Sequence, residues 1–262
     1  MKQTYTRTLT ACYTGYVVQA IVNNFAPLLF LTFQSTYDIS MGRITLLITI
    51  NFIIQLMTDC LSAGFIDRIG YRASMLIAHA ASAVGLICLP LLPELLPDPF
   101  AGLLIAVGIY AVGGGLLEVM VSPVVEALPT KNKEKTMSML HSFYCWGHVA
   151  VVLVSTIFFA LFGVENWRIM AVIWALVPVY NFFVFRKVPI CTLTEEGEKG
   201  LSFTDLIRKP AFWILMVIMV CAGASEQSVS QWASTFAEQG LGVNKTIGDL
   251  AGPMFFAICM GS

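Results

Sequence analysis

The sequence predicts an all-α, polytopic transmembrane bundle, and three observations predict it. Of its 262 residues 57% are hydrophobic and only 12% charged, with a mean hydropathy of +0.78; a water-soluble domain carries roughly twice that charged fraction. Residues 44–55, 73–93, 99–117 and 147–164 contain no Asp, Glu, Lys or Arg, and runs near or above ~18 apolar residues are candidate membrane helices. The basic residues are also distributed one-sidedly. With the N-terminus placed in the cytoplasm, all of the 15 Lys and Arg except Arg43, Arg168 and Lys245 fall on the inner side, as the positive-inside rule requires. One missed helix would scramble that split, so it supports the helix number as well as the orientation.

The helices follow in order. The first is expected over 11–34, too long and too late to be a cleaved signal peptide. The second spans about 43–64 and, after a charged turn FIDRIGYRA, the third spans 74–92. The link PELLPDP leads to a fourth helix over 100–128, and PTKNKEK to a fifth over 136–162. The sixth covers 167–185. A polar segment over 186–210 precedes a seventh at 211–237, and an eighth apolar run starts near Thr246. From there to Ser262 a helix spans only about 25 Å, short of a bilayer crossing, so the chain reads as the front part of a longer protein. Shifting the sequence by 203 positions lays Asn23 and Asn24 on Glu226 and Gln227, and Thr32 and Phe33 on Thr235 and Phe236. A seventh helix resembling the first is the mark of parallel repeats. The expected organisation is therefore a six-helix bundle over 1–188, a cytoplasmic linker over 189–209, and the start of a second bundle over 210–262.

The stretch Gly113 to Gly147 organises the chemistry. It sets Glu118 and Glu126 around Pro123 in an apolar helix, and carboxylates in membrane-length segments usually mark a path for solute or ion. Glu118 stands at mid-depth, where an isolated carboxylate must pair, hydrogen-bond or stay protonated. Glu126 lies eight residues on, about 12 Å along the axis, within reach of Lys131 or Lys133. Asp59, late in the second helix, is expected to pair with Arg68 or with a helix N-terminus. His141, Cys145 and His148 are spaced i, i+4, i+7, but no fourth ligand is evident and no metal site is assigned. The seven cysteines form no CxxC pair and behave as small hydrophobes. No basic stripe for nucleic acid, no HExxH, no GxSxG and no P-loop lysine appears. The sequence thus disfavours an ATP-driven pump and an enzyme, and calls for no cofactor.

The turn AGFIDRIGYRAS between the second and third helices resembles the loop signature of the major facilitator superfamily. Asp67, Arg68, Gly70 and Arg72 match it; the signature's first glycine falls at Ala63, with Gly64 one place late. In that family the loop gates the conformational change, which implies a gating role for these four residues, with Asp59 and Glu126 near them. GGGLLEVMVSP resembles the fourth-helix motif of the fucose–galactose–hexose symporter branch. CAGASEQSVSQWASTF resembles that branch's seventh helix through Glu226 and Trp232. The branch's first-helix acid, however, falls near Asn24, which cannot titrate. The fourth-helix arginine and the fifth-helix glycine–proline motif of the drug antiporters are absent. Helices one, four and seven line the solute cavity of the family, which implies binding roles for Asn23, Asn24, Glu118, Glu226, Gln227 and Gln231. His141 joins them from the fifth helix, with Trp146 and Trp232 as aromatic faces for a sugar. Amides both donate and accept, which suits a neutral hydroxylated solute.

The expectation is a monomeric secondary transporter in the plasma membrane, with a cytoplasmic N-terminus and a lipid bilayer as its surroundings. A small polar solute is its cargo, a sugar being one candidate; protons are a candidate coupling ion, with Glu118 as their carrier. Export of amphipathic compounds is the alternative within the class, and a transporter-like sensor the alternative outside it.

Overall fold

The computed structural model describes residues 2–191, 205 and 207–261, without the side chains of 2–4, 63 and 67. The Asp67 side chain and most of the 189–209 linker therefore lie outside the described residues. The chain is all-helical among them: α1 (Lys2–Asn24), α2 (Phe30–Tyr37), α3 (Met41–Ile69), α4 (Tyr71–Leu95), α5 (Pro99–Glu126), α6 (Lys133–Phe162), α7 (Trp167–Phe185), α8 (Pro210–Leu241), α9 (Lys245–Asp249) and α10 (Phe255–Gly261). Seven candidate membrane spans result, α1 and α2 together forming the first. Large apolar side chains such as Leu56, Leu61, Leu95, Leu161 and Leu176 stand exposed on the outside. That surface fits lipid rather than water, and the protein is a multi-pass membrane protein.

The first helix starts at Lys2, ahead of its apolar run, and the first span is broken. A 3₁₀ turn at Ala26–Leu29 separates α1 from α2. Pro27 is the cause: it has no N–H to donate and its ring crowds the carbonyl four residues back, that of Asn23. The eighth run is likewise irregular, with a π turn over Leu250–Met254 around Pro253. α3 continues beyond its expected end to Ile69, where Gly70 stops it at φ +83°. Only glycine adopts that conformation without strain, so α4 begins at the next residue and the turn takes a single position.

α1 lies at the centre, packed against α5, α6 and α7, while α4 packs on α5 and α7, and α3 on α5. The three consecutive glycines of α5 face three neighbours. A Cβ at Gly113 would lie 2.6 Å from the Ala78 carbonyl oxygen of α4. One at Gly114 would meet Val22 of α1 at 3.2 Å, and one at Gly115 the Gln55 carbonyl oxygen of α3 at 3.0 Å. The triplet thus lets three helices close on α5 one turn before Glu118. A buried polar clamp adds to this on the other side of α1: Asn181 of α7 donates to the Ala11 carbonyl at 3.0 Å and sits 2.7 Å from Nε2 of His79 in α4.

α8 meets this bundle along its second half only. Its buried residues are Ser230, Gln231, Ser234, Thr235 and Ala237, whereas Trp213 to Val220 are exposed.

Candidate functional site

A cavity of about 630 Å³ lies between α1, α3, α5, α6, α8 and α10. Each wall is one face of a helix. Tyr16, Gln19 and Asn23 share the i, i+3, i+7 face of α1; Phe52, Gln55, Leu56 and Asp59 come from α3; Glu118 and Ser122 from α5; His141, Tyr144 and Cys145 from α6; and Met219, Gly223, Glu226 and Gln227 from α8. Such spacings bring side chains to one side of a helix. Gln19 Nε2 donates to Glu118 Oε2 at 3.2 Å, and Tyr16 and Ser122 hydroxyls are 2.7 Å apart. Gln55 Nε2 donates to Asn23 Oδ1 at 2.9 Å. The α1, α3 and α5 walls are therefore cross-linked by polar groups.

Three carboxylates, Asp59, Glu118 and Glu226, share this cavity without a counter-ion among the described residues. Asp59 and Glu118 are electrostatic neighbours, as are Glu118 and Glu226. None of the three forms an ion pair among the described residues, and Asp59 Oδ1 has no hydrogen-bond partner. No Lys or Arg belongs to the lining. Like charges gathered in a poorly solvated space repel, and a cation or a proton among them reduces that repulsion.

The other predicted residues fall in several places. His141 lines the cavity with its ring 5.6 Å from that of Tyr16. Asn24 is buried behind the wall, donating to Ala20 O and Tyr144 OH. Gln231 donates to the Asn23 carbonyl at 3.0 Å, the group that Pro27 leaves without its helical partner. Trp232 packs its ring on Phe30 at 5.7 Å instead of facing the cavity, and Trp146 is half exposed outside the lining.

The expected pairing of Asp59 with Arg68 is corrected: nine residues of helix put about 13 Å between them, and Asp59 turns to the cavity while Arg68 is exposed. The expected contact of Glu126 with Lys131 or Lys133 is corrected too, since Glu126 is exposed and forms no ion pair among the described residues. Arg72 donates to the carbonyls of Phe185 and Val188 at 2.6 and 2.8 Å, capping the end of α7. Tyr16, Gln19 and Ser122 were not anticipated; the i, i+3, i+7 relation of the first two to Asn23 was the available signal.

A polar network beyond the Asn23 end of the cavity ties α9 to the bundle. Lys245 Nζ donates to the Leu28 carbonyl at 2.5 Å and pairs with Asp249 at 3.2 Å and Glu238 at 3.8 Å. Asp249 is fully buried and also accepts from Ser234 and from Thr156 of α6. The carbonyls exposed by the break in the first span, Asn23 and Leu28, thus receive Gln231 and Lys245 and hold α8 and α9 against the bundle.

Removing Lys245 leaves Asp249 buried without its cation, a loss that costs about 3–5 kcal/mol in buried pairs. Lys245→Met is accordingly expected to open this end. With Cys145 as the sole cysteine, its labelling by an impermeant thiol reagent from the Lys245 side should rise several-fold. Unchanged labelling would remove the sealing role.

The profile of the Major Facilitator Superfamily matches residues 12–262. The chain belongs to that superfamily. The niacin transporter NiaP of Acinetobacter baylyi is 25% identical over 238 residues, covering 87% of this chain and 52% of the relative. A D-xylose–proton symporter structure superposes with a TM-score of 0.65 at 17% identity, over 98% of this chain and 65% of that one. The proton:xylose symporter XylE bound to 6-bromo-6-deoxy-D-glucose gives 0.65 at 14% identity, over 72% and 46%. The POT family transporter PepTSo gives 0.59 at 17%, over 97% and 52%. The chain spans about half the length of the curated relative it matches. The expected all-α major facilitator fold is thereby established.

Proposed function

We propose that this chain forms the first six-helix half, and the opening helices of the second, of a secondary transporter that moves a small polar solute by alternating access. The halves comprise 1–188 and the chain from 210 onward, joined by a cytoplasmic linker over 189–209, in a monomeric plasma-membrane protein with a cytoplasmic N-terminus. The observation that carries this reading is the cavity of about 630 Å³ between α1, α3, α5, α6, α8 and α10, with polar side chains in its walls, a size that suits a small molecule. In this reading the Lys245 network is the outer seal and the turn from Arg68 to Arg72, anchored on α7, belongs to the inner gate.

A neutral sugar suits the lining best. Gln19, Asn23, Gln55, Tyr16 and Tyr144 offer both donors and acceptors. The fourth- and seventh-helix motifs point the same way, as does the likeness of fold to xylose–proton symporters. Glu118, with two carboxylates beside it, is the proposed proton carrier. A second reading, a cationic solute, is favoured by the three carboxylates and the absence of Lys and Arg from the lining. The same absence disfavours an anionic solute such as niacin, named for the curated relative.

The test is uptake into proteoliposomes by the full-length protein under an inward proton gradient, with labelled xylose, a small quaternary ammonium and nicotinate. Accumulation of xylose or of the cation is expected. Nicotinate as the sole solute accumulated would overturn the assignment.

A further inference from the structure

We infer that the groove between the start of α1 and the end of α7, on the outside of the bundle, binds the headgroup of an anionic membrane phospholipid. The groove encloses about 890 Å³ and is separate from the solute cavity. Its walls pair off along two antiparallel helices: Arg7 with Lys187 at one end, Thr14 with Tyr180 about 10 Å further in. Arg7 and Lys187 are exposed, and neither has an ion-pair partner among the described residues. No acid belongs to the lining.

The carbonyls that end α7 do not draw these cations away, because Arg72 already occupies those of Phe185 and Val188. The hydroxyls of Thr10 and Thr14 donate to backbone carbonyls one turn earlier, so the negative charge would be met by Arg7 and Lys187. The inner part of the groove is apolar or aromatic. Tyr180 and Phe183 stand exposed beside Val184, where the apolar run of α7 continues towards the membrane interior. Two exposed cations at the polar edge and an apolar wall below them match a phospholipid: phosphate at the surface, acyl chain along the helix. Basic pockets between membrane helices on the cytoplasmic side recognise anionic headgroups, and this end carries the N-terminus. A free phosphate would have no use for the apolar wall, which commits the site to a lipid.

The experiment is thermal unfolding of the full-length protein in detergent, titrated with phosphatidylglycerol, phosphatidylcholine or inorganic phosphate. Phosphatidylglycerol is expected to raise Tm by about 3 °C or more above phosphatidylcholine, as a ligand of the native state does. Lys187→Gln should shrink that margin, the Arg7→Gln/Lys187→Gln double variant abolish it, and Lys187→Arg preserve it. Lys131→Gln/Lys133→Gln, on another loop of the same end, should leave it intact. Equal margins in wild type and Lys187→Gln would overturn the proposal. So would an equal gain from inorganic phosphate alone, or loss of the margin in the Lys131/Lys133 variant.

Discussion

Glu118→Gln in the full-length protein is expected to cut solute-driven alkalinisation by at least about tenfold, equivalent to roughly 1.4 kcal/mol in the barrier of the coupled step. The physical ground is the local charge. Glu118 sits between Asp59 and Glu226 with no basic residue in the lining, so its carboxylate is relieved by a proton or cation rather than by a permanent partner. Its hydrogen-bond partner among the described residues, Gln19, donates an amide N–H, and glutamine at 118 keeps shape and an acceptor while removing the exchangeable charge. Glu126→Gln is the control, since Glu126 is exposed and absent from the cavity; it should retain most of the alkalinisation. Equal alkalinisation by wild type and Glu118→Gln would exclude Glu118 as the carrier.

Gly113→Ala is expected to destabilise the protein strongly for a small chemical change. The added Cβ would lie 2.6 Å from the Ala78 carbonyl oxygen and 2.7 Å from the Ser82 nitrogen. Both are backbone atoms of α4, so no side chain can swing aside and the two helices must part. Overpacking of this kind costs about 1–3 kcal/mol or more, against about 1 kcal/mol gained in helix propensity. The melting temperature in detergent should fall by several degrees. Gly42→Ala, whose Cβ would meet nothing within 4 Å, should leave it level or raise it slightly. Equal melting of the two variants would show that α4 and α5 do not depend on this contact. A fall for Gly113→Ala would also disturb Glu118 indirectly, because the same glycine run brings α3 and α1 onto α5.

The fold was largely legible in the sequence because its determinants are local. Apolar run length locates the spans, and the expected set of helices corresponds to α1/α2, α3, α4, α5, α6, α7, α8 and the start of an eighth. The break at Pro27 was equally visible in principle, since proline acts on its own helix. Its consequence was not: the carbonyls of Asn23 and Leu28 acquire meaning only when Gln231 and Lys245, over 200 residues away in sequence, arrive to bind them.

The same division runs through the site. The sequence by itself determined that Glu118, Asn23 and Glu226 lie inside apolar spans, since the cost of burying a polar group is readable from its neighbours along the chain. Only the tertiary structure decided which polar groups meet. Helix rotation is set by packing against other helices, and it turns Tyr16, Gln19, Gln55, Asp59 and Ser122 inward while Trp146 faces out and Trp232 packs on Phe30. A rotation of one residue, about 100° on an α-helix, is enough to move a side chain from cavity to lipid, and nothing local to the sequence specifies it.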